Sequence, residues 1–255
     1  MNILVINLKG GAAKTTNSSI IASYLPNATL IEIDKINKSD SKIISKDYKS
    51  IQIDFLNEND NQFLEFENIL LDDTIKIIDV GAVKLEIFHR AMVAANLYST
   101  INLLIIPAMD GADDFSVAMA YLNTIKNEIS FNNILFSFNR YNNHEYTSHQ
   151  EQFSSFFNKK DEILNNFKID LSDESNYYIL ADSRAIKLAR ANKITLKSLV
   201  DSDIDAITKK QREEQNKNKR LELTKKRSLI LSAQNFYNNY AIEMMQKIVK
   251  KLENE

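Results

Sequence analysis

Lys9-Gly10-Gly11-Ala12-Ala13-Lys14-Thr15-Thr16 stands between the apolar run Ile3 to Ile6 and an amphipathic stretch from Thr15 to Leu25. A strand, a glycine-bearing loop and the start of a helix form the layout that cradles phosphate, because successive backbone N–H groups and a helix N-terminus face the anion. In such a loop Lys14 bridges the β- and γ-oxygens of a nucleotide, and the Thr15 hydroxyl ligates Mg²⁺. Leu8 and Ala13 occupy the positions where the common G-x-x-x-x-G-K-[ST] pattern has glycine. The loop is therefore a deviant one, and Lys9 is the residue that marks it.

The rest of the chain supplies the setting. All four glycines, Gly10, Gly11, Gly81 and Gly111, sit just beyond β-like runs, at the edge where open α/β sheets bind ligands. Strands are expected near Asn2 to Asn7, Thr29 to Asp34, Ile75 to Asp79, Ile101 to Ile106, Ile134 to Phe138 and Tyr177 to Leu180. Helices are expected near Thr15 to Leu25, Lys84 to Leu97 and Asp113 to Ile129. Alternation of this kind predicts an α/β fold, a mostly parallel twisted sheet with helices on both faces. From Ala112 onward there is neither Gly nor Pro, so the second half is expected to be helix-rich.

A chain of 255 residues with 44% apolar content can bury one sizeable core, so residues 1–255 are read as a single domain. Without cysteine, disulfides, thiolate zinc sites and iron–sulfur clusters are excluded. The N-terminus reads as a strand and not as a signal peptide, and no apolar run reaches membrane-spanning length. A soluble, cytoplasmic protein is expected. His89, His144 and His149 share no ligand spacing with nearby carboxylates.

The stretch from Lys9 to Thr16 resembles the ParA/MinD family of ATPases, whose deviant Walker A motif reads K-G-G-x-x-K-[ST]-[ST]; every fixed position is present. The resemblance implies that Gly10, Gly11, Ala12, Ala13, Lys14, Thr15 and Thr16 hold ATP with Mg²⁺. It also implies that Lys9 reaches the partner's nucleotide across an ATP-bound homodimer. Ala13 is a departure, since it adds a methyl group where backbone passes near phosphate.

Leu30-Ile31-Glu32-Ile33-Asp34-Lys35 stands where the family has an apolar strand ending in D-x-D. On that likeness Asp34 orients the attacking water and Glu32 lies near the metal; two carboxylates at a solvated strand end are the alternative. Ile75 to Asp79 resembles Walker B, with Asp79 holding Mg²⁺ through water and Gly81 offering its N–H to a γ-phosphate. Asn139 stands where relatives read adenine with an amide, or else it belongs to an Asx-turn. Tyr178 to Arg184 resembles the family's strand-to-helix segment, in which an arginine contributes to DNA binding, so Arg184 is the candidate.

Thr208 to Arg220 contains no apolar residue, and Lys209 to Arg227 carries nine basic against three acidic side chains. With +6 in this segment and −2 overall, the remainder of the chain is near −8. We read residues 203–227 as a basic arm, either a footprint for phosphate backbone through Lys209, Lys210, Arg212, Lys217, Lys219 and Arg220, or a solvated linker. Residues 228–252 then form a packing helix, with Leu229, Ala233, Phe236, Tyr237, Tyr240, Met244, Ile248 and Leu252 at helical spacing.

The resemblance implies a partition ATPase that dimerises on ATP, binds nonspecific DNA and is stimulated by a centromere-binding or adaptor protein, in the cytoplasm on a bacterial or archaeal nucleoid. A MinD-like membrane switch is the alternative, and a metabolic enzyme on the same fold a third. No membrane association is expected.

Overall fold

Six of the seven strands arise from the β-branched runs, in a computed structural model that describes residues 1–34 and 45–253. Lys35 of the Leu30 to Lys35 segment lies outside the described residues. The strands are β1 (Asn2–Val5), β2 (Thr29–Ile33), β3 (Lys49–Ile53), β4 (Lys76–Val80), β5 (Leu103–Ala108), β6 (Ile134–Tyr141) and β7 (Tyr177–Ala181). They form one seven-stranded sheet in the order β3-β2-β4-β1-β5-β6-β7. Every pairing is parallel. The added strand, β3, lies at the edge of the sheet.

Parallel sheets bury both faces, and the strand sequences alternate accordingly. On one face Leu4, Ile6, Ile31, Ile33, Ile78, Val80, Leu104 and Ile106 pack with Phe63, Phe66, Phe88 and Tyr121. These come from α2 (Asn61–Leu70), α3 (Leu85–Ala94) and α4 (Asp114–Ile125), after α1 (Lys14–Tyr24) has crossed the opposite face. Three short helices, α5 (His149–Gln152), α6 (Ser154–Phe157) and α7 (Lys160–Phe167), extend the first layer.

The other face, with Ile3, Val5, Leu30, Ile77, Leu103 and Ile105, is covered by α1 and by the C-terminal helices. Those are α8 (Arg184–Ala191), α9 (Leu196–Val200), α10 (Ile204–Glu213), α11 (Lys217–Phe236) and α12 (Ile242–Glu253). A π-helical turn, Tyr237–Ala241, joins α11 to α12. An extra residue in a helical turn rotates the apolar stripe, so Ala241 is buried where regular spacing had placed Tyr240.

The boundary drawn at 227/228 falls inside α11, which runs unbroken from Lys217 to Phe236. The apolar-free stretch is helical as well. Arg227 Nε donates to Thr208 Oγ1 at 3.0 Å and Gln211 Nε2 to Thr224 Oγ1 at 2.8 Å, closing α10 and α11 into an antiparallel hairpin through side-chain hydrogen bonds. Helix ends capped by Asp203 and Asn216 satisfy the first-turn N–H groups. The arm is thus a built element whose charges stay exposed.

Candidate nucleotide and phosphate site

The loop leaves β1 under the control of Asn7, a residue the sequence alone does not single out. Its Nδ2 donates to the Pro107 carbonyl at 2.5 Å, and its Oδ1 accepts the Lys9 N–H at 2.9 Å, an Asx-type turn that starts the loop. Gly11 and Ala13 both take left-handed backbone, at φ 78° and 64°. For alanine that conformation costs about 1–2 kcal/mol.

Lys14 opens α1 and is almost wholly buried. Its ammonium donates to the carbonyls of Asn7 and Lys9, at 3.1 and 3.0 Å, so the loop wraps around it. Burial pushes this amine below the usual lysine range, against the pull of Asp79 and Asp34. Those carboxylates come from the ends of β4 and β2, where Asp79 and Glu32 are direct cross-strand neighbours. Burial raises Asp79 to about 6; the Thr15 hydroxyl bonded to it opposes the rise, and the charges of Glu32 and Asp34 add to it. Ser50 Oγ donates to Glu32 Oε2 at 3.2 Å.

Gly81 has a role other than the expected one. Its N–H donates to the Ile33 carbonyl at 2.8 Å, continuing the sheet ladder, and so is not turned toward a phosphate. What glycine permits is close approach: a Cβ here would stand 2.5 Å from Asp34 Cγ and 2.7 Å from both its oxygens. Gly81 is the seat of the Asp34 carboxylate.

Asn139 is likewise committed inward. Its Nδ2 donates to the carbonyls of Ser137 at 2.7 Å and Ala108 at 3.3 Å, so in this arrangement neither amide hydrogen is turned to a base. The reason is its neighbour Asn17, whose Nδ2 donates to Asn139 Oδ1 at 2.9 Å. The residue still lines a cleft of about 260 Å³ that runs from the loop, through Gly11, Ala13, Lys14, Thr15 and Thr16, to Arg140, Asp182 and Lys187.

Lys9 is held within its own chain, its Nζ 2.5 Å from Asp114 Oδ2 at the start of α4. The hydrogen bond to Asp114 is the main cause that raises the Lys9 ammonium above its ordinary range. Ala12 is buried behind the loop. Arg184 is exposed on the first turn of α8, and Lys209, Lys210, Arg212, Lys217, Lys219 and Arg220 are exposed along the hairpin. Lys210 and Lys219 share a hollow with Glu213, Glu214 and Glu222.

The donor set fits a magnesium nucleotide. A buried ammonium and the loop backbone would meet anionic oxygens, while Thr15, Asp79 and Glu32 would offer oxygen ligands to a hard cation. Among the described residues no group of three or more His, Cys, Asp or Glu side chains could hold a metal ion. The cation would therefore need phosphate and water oxygens to complete its shell.

A parallel α/β sheet whose first strand feeds this loop defines the P-loop class. No protein-family profile matches the sequence, and no curated protein matches it significantly. Among solved structures, a chain of the MinC:MinD cell division protein complex of Aquifex aeolicus aligns with a TM-score of 0.51 at 13% identity, covering 76% of this chain and 86% of that one. A Borrelia burgdorferi B31 protein assigned to plasmid partition and bound to AMPPNP gives 0.48 at 16% identity, covering 90% and 98%. The pNOB8 ParA gives 0.49 at 16% identity, covering 99% and 98%. The fold is that of the ParA/MinD P-loop proteins.

Proposed function

We propose that this chain is a ParA-like ATPase: it binds MgATP, pairs through the nucleotide into a homodimer, and in that state binds DNA without sequence preference to position a plasmid, chromosome or other cargo. The observation that carries the reading is the pairing of a buried Lys14 under the loop with a second lysine, Lys9, at its mouth. One lysine suffices to bind phosphate in cis. A second is explained by a nucleotide on the opposite subunit.

In this account Lys14 holds the β- and γ-phosphates, while Thr15 and Asp79, with Glu32 beside them, hold Mg²⁺. The cation would supply charge neutralisation at the phosphate oxygens. Asp34, seated on Gly81, orients a water for attack. Lys9 leaves Asp114 to meet the partner's nucleotide. Hydrolysis is slow until a centromere-binding or adaptor protein stimulates it, and the site of action is the cytoplasmic nucleoid.

DNA is favoured over lipid as the ATP-dependent partner because the apolar stripe of α12, Met244, Ile248 and Leu252, is buried against the sheet. An amphipathic anchor needs that face free. No helix among the described residues is long and apolar enough to cross a membrane. Arg184 and the hairpin cations Lys209, Lys210, Arg212, Lys217, Lys219 and Arg220 supply the phosphate contacts. Co-sedimentation with DNA and with anionic liposomes, each in ATP and in ADP, tests the assignment. DNA pelleting the protein in ATP alone is the expected result; liposomes doing so instead would overturn it.

A further inference from the structure

Asn17, in the first turn of α1, is fully buried, and nothing in the proposed chemistry uses it. Its Nδ2 donates to the Ala13 carbonyl and to Asn139 Oδ1, each at 2.9 Å. Its Oδ1 accepts from Ser137 Oγ at 2.8 Å and from the Tyr178 hydroxyl at 2.7 Å. A side-chain amide offers two donor hydrogens and two acceptor lone pairs. Every one of them is filled, with partners from the loop, from β6 and from β7.

These partners belong to opposite walls of the same cleft. Ala13 stands on the loop side with Lys14 and Thr15. Asn139 stands on the far side, and Tyr178 precedes by two residues Leu180, which also lines that wall. The Ala13 carbonyl already accepts the Asn17 backbone N–H at 3.0 Å, so the side chain adds a second bond to the carbonyl of a left-handed alanine. Asn17 therefore holds the peptide that leads into Lys14, and the same amide anchors the far wall. In water-free surroundings such a network is strong when complete, and costly when one member is lost.

We infer that Asn17 and Tyr178 are positioning residues that fix the distance between the phosphate loop and the far wall of the cleft, so that one nucleotide engages both at once. This rests on the nucleotide reading above. A ligand that spans two subsites gains affinity from their fixed spacing, because the second contact is intramolecular. A fragment that fills one subsite gains nothing from it. Loss of the spacing thus carries a signature that loss of general stability does not share.

The test is calorimetric titration of wild type, Tyr178→Phe and Asn17→Ser with MgATP and, separately, with tripolyphosphate. Tyr178→Phe should bind MgATP about tenfold more weakly, the scale of one buried hydrogen bond, while its tripolyphosphate affinity stays within about twofold; Asn17→Ser, which also loses the bond to the loop carbonyl of Ala13, should weaken MgATP at least as much. The double variant should be no worse than Asn17→Ser, since one network is being broken. Tyr178→Phe keeps its ring in the core and carries the test if Asn17→Ser does not fold. Unchanged MgATP affinity in Tyr178→Phe, or a parallel fall for both ligands in that variant, overturns the inference. A wild-type chain that binds neither ligand overturns the nucleotide reading itself, which keeps the two failures apart.

Discussion

Lys9 and Asp114 form an ion pair of 2.5 Å across 105 residues of sequence, and the pair exists because position 111 is glycine. A Cβ at Gly111 would lie 2.5 Å from Asp114 Oδ2 and 3.0 Å from Lys9 Nζ. Asp114 also accepts the Met109 N–H through Oδ1 at 3.2 Å, so its carboxylate is held from the backbone as well as by Lys9. In the single chain, the lysine proposed to meet a partner's phosphate is thus paired with a carboxylate of its own subunit.

Two substitutions should split the roles of this pair. Lys9→Ala should keep ATP bound to a monomer and lose both dimerisation and hydrolysis. Asp114→Asn removes the charge that holds Lys9 and should dimerise at lower ATP concentration, as read by sedimentation velocity. Because the lysine is partly exposed, the ion pair itself contributes no more than about 1 kcal/mol to stability. Normal hydrolysis by Lys9→Ala would remove the case for a cross-subunit lysine.

Gly81→Ala tests the seat of Asp34. The added methyl group must displace a short carboxylate side chain 2.5 Å away, while the loop from Lys9 to Ala13 is untouched. We expect kcat to fall at least about tenfold, with ATP affinity within about threefold, the pattern of a lost positioning contact in a transition state. Asp34→Ala should show the same split and should trap an ATP-bound dimer. Equal losses in binding and turnover in Gly81→Ala would mean that the contact is merely structural.

Ala13→Gly should relieve a strained residue. Left-handed alanine costs about 1–2 kcal/mol, and the greater unfolded-state freedom of glycine returns about 0.4–1 kcal/mol of that. The melting temperature should stay level or rise by a few degrees, and ATP affinity should be retained or tightened. A clear drop in melting temperature would show that the methyl group packs usefully.

These contacts mark the limit of what could be read from residues in a line. Runs such as Ile75 to Asp79 are buried on both faces, so their β-branched character declares them strands. The edge strand Lys49-Ser50-Ile51-Gln52-Ile53 is covered less completely and carries polar residues, which hid it. The strand–loop–helix layout around Lys9 to Thr16 was legible because its signals are local. The inward hydrogen bonds of Asn139 were hidden because its partner Asn17 lies 122 positions away, and Asp114 was invisible as the partner of Lys9 for the same reason. Absence of apolar residues from Thr208 to Arg220 concealed a hairpin closed by hydroxyl, amide and guanidinium groups.

Asp79 predicts a pH dependence of the nucleotide-free protein. Its folded value of about 6 lies above the ordinary 3.8, so ionisation is harder in the fold than in the unfolded chain. The fold is penalised in full above pH 6, and the penalty is relieved as pH falls toward 4. Asp79→Asn should raise the melting temperature at pH 7, by an effect on the order of 3 kcal/mol from linkage. It should also reduce whatever stability wild type gains between pH 7 and pH 5. An identical pH profile in wild type and variant would contradict the buried, ionised carboxylate.

The most direct measurement of the whole account is sedimentation velocity of the intact chain with a short DNA duplex, in MgATP and in MgADP, at two salt concentrations. A dimer on DNA is expected in MgATP and a free monomer in MgADP. DNA affinity should fall by about 0.9 log units per tenfold salt for each phosphate neutralised, and Lys14→Ala should stay monomeric and unbound throughout. The same monomer in both nucleotides, with DNA binding absent or indifferent to ATP, would contradict the proposed function.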